Sequence, residues 1–103
     1  MIRPSETLLG TNINSVWMEG TLVADAEGAS GPAGSPALRF HIRDHRPLDR
    51  DPASVFLVEA SDSAVAGGRS RLLAGHKVRV IGRLKQDKNE VRIVGELVES
   101  LGP

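Results

Sequence analysis

The 103-residue chain contains no cysteine and no tyrosine, one tryptophan and two phenylalanines. Without cysteine there is neither a disulfide scaffold nor a thiolate metal site, and the composition fits a reducing compartment. No apolar run approaches the roughly 18 residues of a membrane helix, and the opening MIRPSE is not followed by the apolar segment of a secretion signal. A soluble, cytoplasmic protein with no membrane contact is therefore the expectation. Net charge is also missing, since thirteen Lys and Arg balance thirteen Asp and Glu, which at first sight argues against a polyanionic partner. The histidines His41, His45 and His76 form no H-x-H or H-E-x-x-H spacing, so no metal site is expected. The GGR at 67–69 lacks the lysine and hydroxyl order of a phosphate-cradling loop, and no histidine is placed as a base for Ser61, Asp62 or Ser63. Neither an enzymatic activity nor a cofactor is expected.

The distribution of charge says more than its total. Residues 39 to 92 carry twelve Lys and Arg against seven Asp and Glu, an excess of five positive charges, while both ends are acidic. Within that span, residues 69 to 85 hold six basic residues and no acid, a local field suited to an anionic partner. The length allows one core and not two. Ile, Leu and Val occur in short blocks bounded by Gly, Pro and Asp, as folded strands require.

Residues 1 to 12, with Pro4, read as an irregular arm. From Asn14 to Ala24 the chain alternates: Val16, Met18, Gly20 and Leu22 fall on one face, Trp17, Glu19 and Thr21 on the other. That period predicts a strand whose second face carries the tryptophan, and Gly20 in its middle predicts a bulge or bend, as at a barrel corner. Residues 25 to 36 hold nothing apolar larger than alanine and read as a flexible loop. A second strand spans 37 to 44, with Leu38, Phe40 and Ile42 inward and Arg39, His41 and Arg43 outward. Residues 45 to 52, with two prolines, form a loop, and 54 to 60 form a third strand, the most apolar one. A short helix is expected after it, capped near Ser61 or Asp62, interrupted by Gly67-Gly68 and ended by Gly75. In 76 to 85, Val78, Val80, Gly82 and Leu84 face one way, and Lys77, Arg79, Ile81, Arg83 and Lys85 the other. After a polar reversal, Val91, Ile93 and Leu97 continue inward, with Arg92 and Val94 opposite. An open sheet of this kind exposes one face and two edges, which closure removes. The predicted fold is all-β: a five-stranded OB-fold barrel with a short helix between strands 3 and 4. It occupies residues 13–101, between the arm 1–12 and a C-terminal end at 102–103.

Five stretches carry a family resemblance: NSVWMEGTLVAD (14–25), PALRFHI (36–42), VFLVEA (55–60), LLAGHKVRVIGRL (72–84) and IVGELVESL (93–101). With these flanks and its G-x-x-V-x-V-x-G-x-L core, the chain resembles the bacterial single-stranded DNA-binding proteins and their short primosomal relatives over residues 14 to 101. The resemblance implies single-stranded DNA bound across the barrel face and loops, a homo-oligomer (dimer or tetramer), and a role in replication, recombination or repair at the nucleoid. Two departures stand out. Ser54 and Ala60 occupy positions where the family has stacking tryptophan and phenylalanine. The given chain stops at Gly102-Pro103 with no acidic recruitment tail, so a barrel without that tail is expected.

Proteins that hold a single strand need cations along the phosphate track and flat rings for unpaired bases. The first need points to Arg39, His41 and Arg43 on strand two, Lys77, Arg79, Arg83 and Lys85 on strand four, and Arg92, expected to form one continuous outward surface from neighbouring strands. Rings are scarcer. Trp17 is assigned three competing roles: stacking platform, subunit contact or structural packing. Phe56 is a second platform or core, and Phe40 is core; arginine planes can also stack on bases. Non-sequence-specific, salt-sensitive binding of single-stranded DNA is the leading expectation, with RNA indistinguishable from it. The alternative is an OB-fold protein-interaction module of a replication complex, its partners replication proteins and its nucleic-acid binding weak or absent.

Overall fold

Alternation builds most of the structure. The computed structural model describes residues 14–44 and 54–103; the expected arm 1–12 and loop 45–52 lie outside the described residues. Seven strands form one sheet: β1 (Val16–Leu22), β2 (Glu27–Ser30), β3 (Pro36–Asp44), β4 (Val55–Ser61), β5 (Val65–Ala66), β6 (Lys77–Asp87) and β7 (Glu90–Gly102). The sheet order is β1-β6-β7-β4-β3-β2, with β5 alongside β7. Pairing is antiparallel except where β4 and β5 meet β7.

One face of every long strand is apolar and packs into a single core. Leu22, Leu38, Phe40, Ile42, Val58, Leu72, Val78, Val80, Ile93 and Val98 are all buried, with Val16 and Met18 packed against them. Each fully buried side chain of this size contributes about 1.5–3 kcal/mol. Gly20 is the corner of the sheet. There β1, while still paired with Val78 of β6, also begins to pair with Asp44 of β3. A Cβ at this position would stand 2.5 Å from the carbonyl oxygen of Arg43, so only glycine lets the two backbones approach.

Three sequence expectations need correction. The fold is all-β, but the described residues form seven strands rather than five and not an evenly round barrel: β1 meets β3 only along the short seam Gly20–Leu22. No α-helix separates strands 3 and 4 of the expected order, or any other described strands. The segment between β4 and β6 consists of two 3-10 turns, Asp62–Ala64 and Arg69–Arg71, on either side of β5. Gly67 and Gly68 sit at φ +79° and +83°, a left-handed pair that breaks any helical run. Of that stretch only Val65 and Leu72 are buried hydrophobics, too few for an amphipathic helix face. Residues 25 to 36, expected as a flexible loop, contain β2 and the 3-10 turn Pro32–Gly34, with Gly28, Ala29 and Ser30 paired to β3 through their backbones.

The β6–β7 hairpin contains the other departure. Ile81 faces Leu97 but Gly82 faces Gly95, so Glu96 is an extra residue in β7. This bulge flips the side-chain alternation, which buries Val98 and leaves Leu97 41% exposed, the reverse of the even period expected from sequence. Gly82 locks the bulge, because a Cβ there would fall on the Val94 carbonyl oxygen, 2.9 Å from its carbon and 3.1 Å from the Gly95 Cα. Just before β1, the Asn14 side chain acts as one more strand residue. Its Oδ1 accepts from the Leu84 N–H and its Nδ2 donates to the Leu84 carbonyl, both at 2.8 Å.

Candidate nucleic-acid interface

Outward positions on four strands line up across the sheet. Arg39 on β3 faces Glu59 on β4, Glu59 faces Val94 on β7, and Val94 faces Arg83 on β6; one step along the hairpin, Arg92 faces Lys85. The row floors a groove of about 520 Å³, with the β2–β3 connection (Ser30, Gly31, Ser35) on one side and the β6–β7 hairpin on the other. Four cations, Arg39, Arg83, Lys85 and Arg92, line it with one acid, Glu59.

These charges are not equivalent. Arg92, only 19% exposed, lies with its Nη1 2.9 Å from Glu59 Oε1 and its Nη2 3.5 Å from Asp87 Oδ2. Arg39, half exposed, stands 3.7 Å from Glu59 Oε2. Glu59 Oε1 is buried and accepts no aligned hydrogen bond, so its closeness to Arg92 is an ionic contact rather than a directed bond. Partial burial reduces solvent screening of that contact and holds Arg92 in place. Arg83 and Lys85 are exposed and, among the described residues, make no ion pair, so their full charge is offered to the groove.

The remaining sequence candidates lie elsewhere. The expected single surface from neighbouring strands does not form, because β3 and β6 are separated by β4 and β7 on one side and β1 on the other. Topology, rather than adjacency, brings Arg39, Arg83, Lys85 and Arg92 together. His41 and Arg43 continue along the outer face of β3 opposite Leu57 and Val55. Lys77 and Arg79 lie at the far end of β6 beside β1, where Arg79 pairs with Glu19 at 3.5 Å and faces Glu99. Trp17 is 75% exposed on the outer face of β1, its Nε1 donating to Ser15 Oγ at 3.1 Å. It forms a cross-strand apolar row with Ile81 and Leu97, outside the groove. Phe56 faces Ile42 on the inward side and is 37% exposed; it does not share a face with the cations.

Sequence reasoning missed Glu59 and the groove wall formed by the β2–β3 connection. For Glu59 a signal existed: it is the only charged residue in VFLVEAS, the most apolar strand, at an outward position between Leu57 and Ser61. Among the described residues no three of His, Cys, Asp and Glu converge on a point, and no helix is long and apolar enough to cross a membrane.

Neither a protein-family model nor a curated protein sequence matches the chain. Solved structures do. The dimeric N-terminal domain of PriB from Thermoanaerobacter tencongensis superposes with a TM-score of 0.70 at 15% identity, over 87% of this chain and 98% of that one. A deletion mutant of the single-stranded DNA-binding protein from Thermus aquaticus gives 0.68 at 25% identity, over 85% of this chain and 40% of that chain. This chain thus spans about two-fifths of the second protein. The strand order and the position of the groove are those of an OB fold. The chain therefore has an OB fold, similar to those of the PriB domain and of the Thermus single-stranded DNA-binding protein.

Proposed function

We propose that the domain, residues 13–101, binds single-stranded DNA without sequence specificity in replication, recombination or repair. The observation that carries this reading is the convergence of Arg39, Arg83, Lys85 and Arg92, from three separate strands, on one groove between two hairpins. Rows of cations at strand spacing suit a flexible polyanion, and single strands need no groove-shaped duplex to be read. His41 and Arg43 lie further along the outer face of β3, beyond the groove lining. The compartment that follows is the cytoplasm, at the nucleoid.

The β1 side serves assembly. Trp17, Ile81 and Leu97 form an exposed apolar row flanked by Glu19, Arg79 and Glu99, an arrangement of apolar centre and mixed charge suited to a second copy. Lys77 borders this face, and Phe56 lies at the exposed end of the inward face. Pairing into a dimer or tetramer multiplies the cationic surface presented to one strand.

A labelled 30-nucleotide pyrimidine strand, followed by fluorescence anisotropy at about 20 mM salt, tests the reading. Binding that is reversed as salt is raised supports it; folded protein at tens of micromolar with no anisotropy change refutes it. One observation favours the second reading, an OB-fold module that docks on replication proteins: among the described residues no aromatic ring lines the groove, so base stacking there falls to arginine planes. The same titration separates the two readings, and an RNA strand of equal length shows whether the sugar matters.

A further inference from the structure

A carboxylate in the middle of a site for a polyanion opposes phosphate, and the acceptor capacity that its ion pairs leave open suits only a hydrogen-bond donor. Glu59 is such a group. It lies in the central row of the groove, between Arg39 on one side and Val94 and Arg83 on the other. Its Oε1 is buried against Arg92 and accepts no aligned hydrogen bond. Its Oε2 is 3.7 Å from Arg39, beyond hydrogen-bond reach. An ionised carboxylate accepts at about four lone-pair sites and donates at none; with Oε1 closed off by burial against Arg92, the acceptor capacity left to a ligand is that of Oε2. Gly95, Ala60 and Ala37 line the same groove and project no bulky side chain into the space beside it.

A DNA strand bears its donors only on the bases. Phosphate and ether oxygens accept, and deoxyribose within a strand has no free hydroxyl. With phosphates held by the cations of the row, a base turned toward its centre presents its edge to Glu59. Cytosine offers the N4 amino group, which a carboxylate accepts well. Thymine offers carbonyl oxygens on both sides of its single N–H, and these repel the carboxylate.

Resting on the proposed function, we infer that Glu59 is a specificity-determining residue that selects amino-bearing bases and disfavours thymine in an otherwise sequence-tolerant groove. Single-stranded binders of this type draw their modest preferences from stacking and strand flexibility; with no ring in the groove among the described residues, a carboxylate acceptor takes over that task.

The experiment compares 30-mers of deoxycytidine and deoxythymidine, equal in charge, by anisotropy at one salt concentration. The native protein is expected to bind the cytosine strand about 5- to 10-fold more tightly. In Glu59→Gln the amide can donate as well as accept, and an anionic charge is lost. Both strands then bind more tightly, thymine gains more, and the ratio falls to within about 2-fold. A native ratio within about 2-fold, or one that survives in Glu59→Gln, overturns the inference while leaving the proposed function standing. If neither strand binds the native protein at low salt, the proposed function falls and this inference with it. A uridine RNA strand provides the remaining arm: tighter binding of RNA than of the thymidine strand, lost in Glu59→Gln, reassigns the carboxylate to the ribose hydroxyl and overturns base selection. The native ratio needs no variant, so a folding defect in Glu59→Gln cannot shelter the inference.

Discussion

Removing the two unpaired cations of the groove gives the sharpest test of where a strand runs. Arg83 and Lys85 are exposed and form no ion pair among the described residues, so the double substitution Arg83→Ala with Lys85→Ala strands no buried partner. Its effect on folding stability is expected to stay within about 1 kcal/mol. For a single strand each neutralised phosphate adds about 0.7 to the slope of log K against log salt. Four groove cations therefore set a native slope near 2.8, reduced somewhat by Glu59. Between 50 and 200 mM salt the native protein loses about 50-fold in affinity, whereas the double variant, with a slope near 1.4, loses about 7-fold. Anisotropy titrations at four or five salt concentrations resolve that difference. Arg79→Ala is the control, because Arg79 is already paired with Glu19 on the β1 side, and its slope is expected to match the native one. A native slope in the double variant, or an equal fall in Arg79→Ala, refutes the assignment of the phosphate track to the groove.

Two further outcomes follow from packing. Gly82→Ala forces β6 away from the Val94 carbonyl at the bulge and is expected to cost about 3 kcal/mol or more, seen as a lowered urea midpoint; an unchanged midpoint shows that the hairpin is not locked there. Trp17→Glu alters a side chain that is 75% exposed, so stability is expected to move by no more than about 0.5 kcal/mol. Assembly measured by analytical ultracentrifugation is expected to fall toward the monomer, and an unaltered mass places any subunit contact elsewhere.

What the sequence made legible was whatever depends on burying one face of a strand. The alternations around Trp17 and Arg79 set β1 and β6, and Phe40 joined the core, because an apolar side chain on each inward position leaves a period-two trace. β2 left none. Its Gly28, Ala29 and Ser30 pair with β3 by backbone alone, and backbone pairing imposes no side-chain pattern. The even period places Leu97 inward, yet it lies 41% exposed, because an inserted residue, Glu96, resets the period without any compositional mark. The expected helix failed at Gly67-Gly68, where two positive φ angles outweigh a weak capping signal. For the interface, the outward direction of Arg39, Arg83, Lys85 and Arg92 was readable from parity. Their meeting was not, since it depends on β4 and β7 lying between β3 and β6. Glu59 passed as one acid among many because a single charge acquires significance only from the arginines set beside it.

The hydrogen bonds between Asn14 and Leu84 join positions 70 residues apart. On a ribosome adding about 5–20 residues per second, the first strand leaves the tunnel about 4 to 14 seconds before its ladder partner exists. For that interval the part of β1 that carries the indole, beyond the Gly20–Leu22 seam with β3, lacks its β6 partner, so closure of the sheet is a late event in the life of the nascent chain. Slow codons or a chaperone acting between these two points would bear on yield far more than the same delay placed within the β6–β7 hairpin, whose halves meet as soon as they are made.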